Sequence, residues 1–189
     1  MADDGAVVDK TFMRYLVNNS NSKLLSDVIT NNYSCDIYDF VFINAAIWSI
    51  SRACIEKVGG FDPLFSHYGE DVDYCNRVLN SGFKIGVVPK IKAVHNRSQL
   101  PSRITINFVQ KRFIEYLLFF KKNNTPFYKV FFRHSFFISK NLFILFVKLK
   151  FNDISILIKA NLKLFFSFKQ IKLSRKEQNQ NLAFIRELN

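Results

Sequence analysis

Three carboxylates fall within four residues in the run Tyr68-Gly69-Glu70-Asp71-Val72-Asp73. Val72, Cys75, Val78 and Leu79 recur behind them at helical spacing, and Gly82 supplies a stop, so the spacing predicts a helix over 70–80 with its acids in the first turn. Free backbone N–H groups and the helix dipole keep carboxylates ionised there. An ionised carboxylate at a loop-to-helix junction, beside an aromatic loop, is placed to take a proton from a bound hydroxyl. Acids in a first turn also serve simply as charge–dipole and capping groups, and spacing alone leaves both roles open. Read by itself, His95 is a strand-end histidine bonded to backbone, while His67 and His134 are surface or packing residues. Cys35, Cys54 and Cys75 have no metal-ligand spacing and give no disulfide framework. Cys54 and Cys75 fit buried, reduced thiols.

The elements that must position these groups follow from local pattern. Asp9 can cap a helix carrying Phe12, Met13, Leu16 and Val17, after which 18–22 is a polar turn and 23–36 is weakly patterned. Residues 39–47 read as a buried strand, and Ser51 caps a short helix through Val58 that ends at Gly59-Gly60. Residues 61–69 form a loop with Pro63 and aromatic side chains. Short strands are predicted over 83–88 and 91–94, broken by Pro89. From Ile104 onward the pattern is helical, interrupted near 123–126 and near 152–153. The fold class expected is α/β.

Charge divides the 189-residue chain. Residues 1–83 hold 6 basic and 11 acidic groups, whereas 84–189 hold 21 basic and 4 acidic, and 16 of the 22 phenylalanines follow residue 103. Two regions are expected, 1–103 with the chemistry and 104–189 as a basic, Phe-rich helical region. Its interleaving of Phe, Leu and Ile with Lys suits helices in a membrane interface, with lysine stems snorkelling to anionic head groups. Packing on the rest of the chain or on another subunit is the alternative. Nucleic-acid binding is disfavoured by the aliphatic content and the absence of a binding motif. The amino terminus has no signal-peptide run, and no stretch of 18 uncharged apolar residues predicts a transmembrane helix, so a cytoplasmic, peripheral inner-face location is expected.

Taken in order, Ile-Asn-Ala-Ala at 43–46, Val-Gly-Gly-Phe-Asp at 58–62, Tyr-Gly-Glu-Asp at 68–71, Arg77, Gly82-Phe83, Val88-Pro89 and His95 resemble glycosyltransferase family 2, rhamnosyltransferase-like members included. The resemblance is close over 40–97. It implies a partial GT-A-type mixed sheet with flanking helices, and inverting transfer of a sugar from a nucleoside-diphosphate donor to a glycan, lipid-linked or cell-surface polysaccharide acceptor. Asp71 matches the family's base and Glu70 its neighbour, which orients the acceptor or the loop. His95 matches a metal- or diphosphate-binding histidine. Asp4 matches the second acid of an Asp-Xaa-Asp motif that holds Mg²⁺ or Mn²⁺. Trp48 and Asp62 are expected to border the acceptor, Trp48 serving equally well as a core residue.

Against that pattern, the strand before Asp4 and most of the nucleotide-binding half are missing, and Ala2 stands where the motif's first acid is expected. The expected chain is therefore the carboxy-terminal portion of such an enzyme. The alternative is a non-catalytic fragment that binds a membrane or a partner chain.

Overall fold

The computed structural model describes residues 22–66, 68–91, 106–122 and 125–185, apart from the side chain of Ser22. The expected Asp9 helix, Asp4, His67, His95 and all but the first residue of the 91–94 strand lie outside these.

A first corner is built by helix α1 (Ser22–Thr30) and two strands, β1 (Tyr38–Phe40) and β2 (Ile85–Val87). The strands pair antiparallel, Tyr38 opposite Val87 and Phe40 opposite Ile85. Leu24, Tyr38 and Phe40 bury one side of the pair. The strand expected over 39–47 stops at Phe40, because the chain then turns: Ala46 N–H donates to the Asn44 carbonyl at 2.8 Å and Trp48 Nε1 to the same oxygen at 3.1 Å. A mixed GT-A sheet is not seen among the described residues, which are mostly helical with this one small antiparallel pair.

Asp27 ties α1 to β1. Its carboxylate accepts from Ser34 N–H at 2.9 Å, Ser34 Oγ at 2.5 Å and the Tyr38 hydroxyl. Those bonds, Ser34's first, pull its pKa from 3.8 down to about 2. A depressed folded pKa means the contribution is present above the ordinary value and is lost as pH falls through the folded one. Asp27→Asn should therefore flatten the fall in thermal midpoint between pH 3.8 and about 2, measured by far-UV circular dichroism against wild type.

Helices α2 (Arg52–Val58) and α3 (Glu70–Asn80) form the second corner. Ser51 caps α2 as expected, its hydroxyl accepting from Cys54 N–H at 3.2 Å. Cys54, Val58, Tyr74 and Val78 make the core between them, with Trp48, Ile50, Phe83 and Ile85 packed against it. The buried face of α3 is rotated from the expected apolar one. Asp73, Tyr74 and Arg77 are buried with Cys75 and Val78, while Val72 and Leu79 are only half-buried.

Four further helices follow, α4 (Phe108–Lys121), α5 (Phe127–Val147), α6 (Phe151–Phe166) and α7 (Phe168–Glu177). Phe113, Leu117 and Phe120 of α4 meet Val130 of α5, Leu157, Ala160 and Leu164 of α6 and Ile171 of α7 in the largest core. The interruption after α4 falls where expected and is pinned by Arg175, which donates to the carbonyls of Phe120 at 2.7 Å and of Thr125. The next break comes earlier than expected, at 148–150, with Leu149 in the left-handed region at φ 53. Asn152 and Asp153 instead open α6, where an acid suits the helix dipole. By length and composition α5 is long and apolar enough to cross a membrane, although it carries Lys129, Arg133 and Lys140.

Candidate active site

Between α2 and α3 the chain makes the Gly59-Gly60-Phe61-Asp62 turn. Gly59 has φ 84, and a Cβ there would lie 1.8 Å from the carbonyl oxygen of Ala183. That closeness reflects a strap formed by residues 182–185. Leu182 N–H donates to the Glu56 carbonyl at 2.9 Å and Gly60 N–H to the Ala183 carbonyl at 2.8 Å. Gly59→Ala should cost about 1–3 kcal/mol through the positive φ and should detach the strap, read as faster amide exchange at Gly60 and Leu182. Unchanged exchange would show that the strap tolerates a methyl group.

Arg77 holds the turn from α3. Its Nη1 donates to the Val58 carbonyl at 2.8 Å and its Nη2 to that of Gly60 at 2.7 Å. Its Nε pairs with Asp73 at 2.8 Å, and its guanidinium lies over the rings of Tyr74 and Phe184 at 5.0 and 5.1 Å. Asp62 closes the other end. Lys121 Nζ of α4 sits 2.6 Å from Asp62 and 3.8 Å from Asp73, and the Ser174 hydroxyl of α7 also donates to Asp62. Two acids and two bases thus share one buried network. Burial pushes the Asp73 carboxyl upward, opposed by Lys121 and Arg77.

The network gives Asp62 a structural part. At 1% exposure, with both oxygens occupied by Lys121, Ser174 and Leu64 N–H, its carboxylate anchors the turn, at the wall of the cavity described below. Trp48 stacks on Phe61 at 5.8 Å and meets Tyr74 at 5.7 Å between ring centres. It is half-buried, so it packs the turn while keeping part of its indole open.

Gly69 stands before α3 with φ 91, and a Cβ there would lie 2.7 Å from Ile114 of α4. The left-handed backbone at this glycine swings the chain into the helix and sets Glu70 and Asp71 in the first turn, as expected. Both are half-buried. Asp71 Oδ1 accepts from Val72 N–H at 2.8 Å, and the Asp71 charge helps burial raise the Cys75 thiol. One oxygen of Glu70, Oε2, is buried without a hydrogen-bond partner, which suits a group awaiting a donor from a ligand. A cavity of about 500 Å³ opens beside this junction, lined by Phe65, Ser66 and Tyr68 of the loop and by Gln110, Phe113 and Lys163. Asp62 also lines it, whereas Asp71, Glu70 and Trp48 are not among its lining residues.

Glu70, Asp71, Trp48 and Asp62 therefore belong to one corner, whereas Asp4 and His95 lie outside the described residues. Among the described residues, no group of three His, Cys, Asp or Glu side chains converges to hold a metal ion. Sequence reasoning missed Lys121 and Ser174. Only the Asp73–Arg77 spacing, four apart on one helix, carried a readable signal.

Residues 36–100 match the family model for the N-terminal domain of galactosyltransferase, over about a third of the chain. No curated protein and no solved structure matches the chain. The matched segment spans the Gly-Gly-Phe-Asp turn and the Glu-Asp helix start and is glycosyltransferase-like. It points to sugar transfer in general, and the match is not to family 2, the resemblance read from the motifs.

Proposed function

We propose that the chain is part of an inverting glycosyltransferase, with Asp71 as its catalytic base. The observation that carries the reading is the family match across 36–100, centred on the turn and helix start that set Asp71 in place. In this reading Asp71 removes the proton from an acceptor hydroxyl. The freed oxygen attacks the anomeric carbon of a nucleoside-diphosphate sugar from the face opposite the diphosphate. The new C–O bond forms as the bond to the diphosphate breaks, so configuration inverts and the nucleoside diphosphate leaves.

Glu70 orients the acceptor through its unpartnered oxygen, and the cavity between the 62–68 loop and α4 receives the rest of the acceptor, a glycan or lipid-linked saccharide. Trp48, outside the cavity lining, is assigned to the acceptor as well, since aromatic faces suit sugar rings. A divalent ion, Mg²⁺ or Mn²⁺, belongs to the same proposal, with Asp4 and His95 as its holders; when bound it neutralises charge on the leaving diphosphate. A GT-A arrangement of the whole enzyme and kinship with family 2 are part of the reading as well.

The test is transfer of labelled sugar from a panel of nucleotide sugars to lipid-linked and free saccharide acceptors, with and without Mg²⁺ or Mn²⁺. The family description puts galactose first in that panel, and rhamnose and N-acetylglucosamine follow. Transfer that inverts the anomeric centre supports the proposal. Calorimetry that detects neither donor nor acceptor binding, together with no transfer, overturns it in favour of a non-catalytic binding role.

A further inference from the structure

The largest feature left unused by sugar transfer is the exposed apolar side of α5 and α6. We propose that this side docks on an anionic lipid bilayer, with both helices lying in the plane of its interface.

The inner side of α5 is fixed by Val130 and His134, both buried, and His134 Nε2 lies 2.8 Å from Asn161 Oδ1 on α6. Facing away from them, Phe132, Phe136, Phe143 and Val147 share one stripe at helical spacing, all exposed, Phe136 by 74%. Lys129, Arg133 and Lys140 repeat the same offsets as Phe132, Phe136 and Phe143, so they form a second, parallel row along one margin of the apolar stripe. α6 has the same construction. Leu157, Ala160 and Leu164 are buried, Phe151, Ile158, Leu162 and Phe165 form the exposed stripe opposite, and Lys159 flanks it, whereas Lys163 turns to Gln110 and Phe113 of α4.

A groove between the helices, lined by Phe131, Ile138 and Leu142 of α5 and Ile158, Leu162 and Phe165 of α6, joins the two stripes. By the helical geometry, the cation row of α5 and Lys159 of α6 fall on the side of each stripe away from this groove. The result is one apolar band with cations along both margins.

Charge selects the occupant. Residues 127–177 carry eleven Lys and Arg against two acids. A second copy meeting this face would bring like-charged rows together, which disfavours an isologous contact. An anionic bilayer meets both demands at once, its acyl boundary taking the phenylalanines and its head groups the snorkelling cations.

Orientation follows from the cation rows. They run along the length of α5, and crossing the bilayer would place Arg133 and Lys140 in hydrocarbon, at a high energetic penalty. The inner side of α5 is already committed to the core through Val130. In-plane binding keeps the cations at head-group level and that core intact.

The test is co-sedimentation of the full chain with vesicles of phosphatidylcholine alone or mixed with phosphatidylglycerol, without donor or acceptor. Its outcome is therefore separate from that of the transfer assay. Retention on the anionic vesicles that falls with added salt is expected. Lys129→Gln/Arg133→Gln/Lys140→Gln should weaken it about a hundredfold, roughly fivefold for each cation. Phe136→Ser/Phe143→Ser should weaken it about tenfold or more. Phe136→Trp gives a readout that needs no loss of binding: its added indole emission should shift to the blue on anionic vesicles, and this decides the matter if the multiple variants fail to fold. No retention, equal retention of the triple glutamine variant, or phenylalanine variants that only convert an oligomer to a monomer would each overturn the proposal, the last in favour of a second copy.

Discussion

Lys121→Met is expected to destabilise the fold by about 3–5 kcal/mol, because it removes one partner from a buried charge network and leaves the others in place. Methionine keeps the length and apolar stem of lysine, so the loss is of charge rather than packing. Lys121 is 3% exposed, with its ammonium 2.6 Å from Asp62, 3.8 Å from Asp73 and within 2.5 Å of Ser174 Oγ. In the variant two carboxylates remain against one guanidinium. At least one would then hold its proton more tightly in the fold than in the unfolded chain. A raised folded pKa gives stability that is present at low pH and lost as pH rises through it. The gap between wild type and variant should therefore be widest near neutrality and narrow in acid. Urea denaturation at several pH values measures it. Adding Asp62→Leu to Lys121→Met should restore part of the loss, which a double-mutant cycle would quantify. A gap below about 1 kcal/mol that does not vary with pH would mean that these charges are solvated in solution.

The second large effect concerns chemistry. Asp71→Asn is expected to lower kcat for sugar transfer by about 10²- to 10⁴-fold, the usual contribution of a positioned general base. The substitution keeps the shape of the side chain and its bond from Val72 N–H, so the melting profile should stay close to wild type. Asp62→Asn makes the informative contrast. It removes charge from a carboxylate bound to Lys121 and Ser174, and activity should fall together with stability. If Asp71→Asn transfers sugar at the wild-type rate, Asp71 has no part in the mechanism. If it loses activity only in proportion to lost fold, its role is structural.

Local chemistry was legible in the sequence wherever a few neighbouring residues decide the structure. Ser51 before α2, Gly59 after it, and the stop at Gly82 behind α3 all act within a turn, and α2 and α3 have the expected bounds. Strand length was not legible, because pairing of residues 38–40 with 85–87 depends on a partner far along the chain and on the turn that starts beyond Phe40. The buried face of α3 was misread for the same reason. Hydrophobic periodicity ranks Val72 and Leu79 as core, but Arg77 and Asp73 go inside because Lys121 and the carbonyls of Val58 and Gly60 satisfy their network. The helix α1 also escaped notice, its apolar positions Leu24, Leu25 and Val28 being few and its first turn free of acids. At the site, motif order singled out Asp71, and its position in the first turn of α3 was legible from spacing. Lys121 and Ser174 were invisible, since nothing near either marks it as the counterpart of a residue on another helix.

The strap over Gly59 and Gly60 also sets an order of assembly. Its two backbone bonds join the turn to residues 182 and 183, among the most sequence-distant pairings in the described chain. Contacts of such high order form slowly and close late. During synthesis the helix start bearing Asp71 leaves the ribosome well before residues 182–185 do, so the nascent chain carries an unfinished corner. A chaperone acting in that interval would meet the turn before it has been latched.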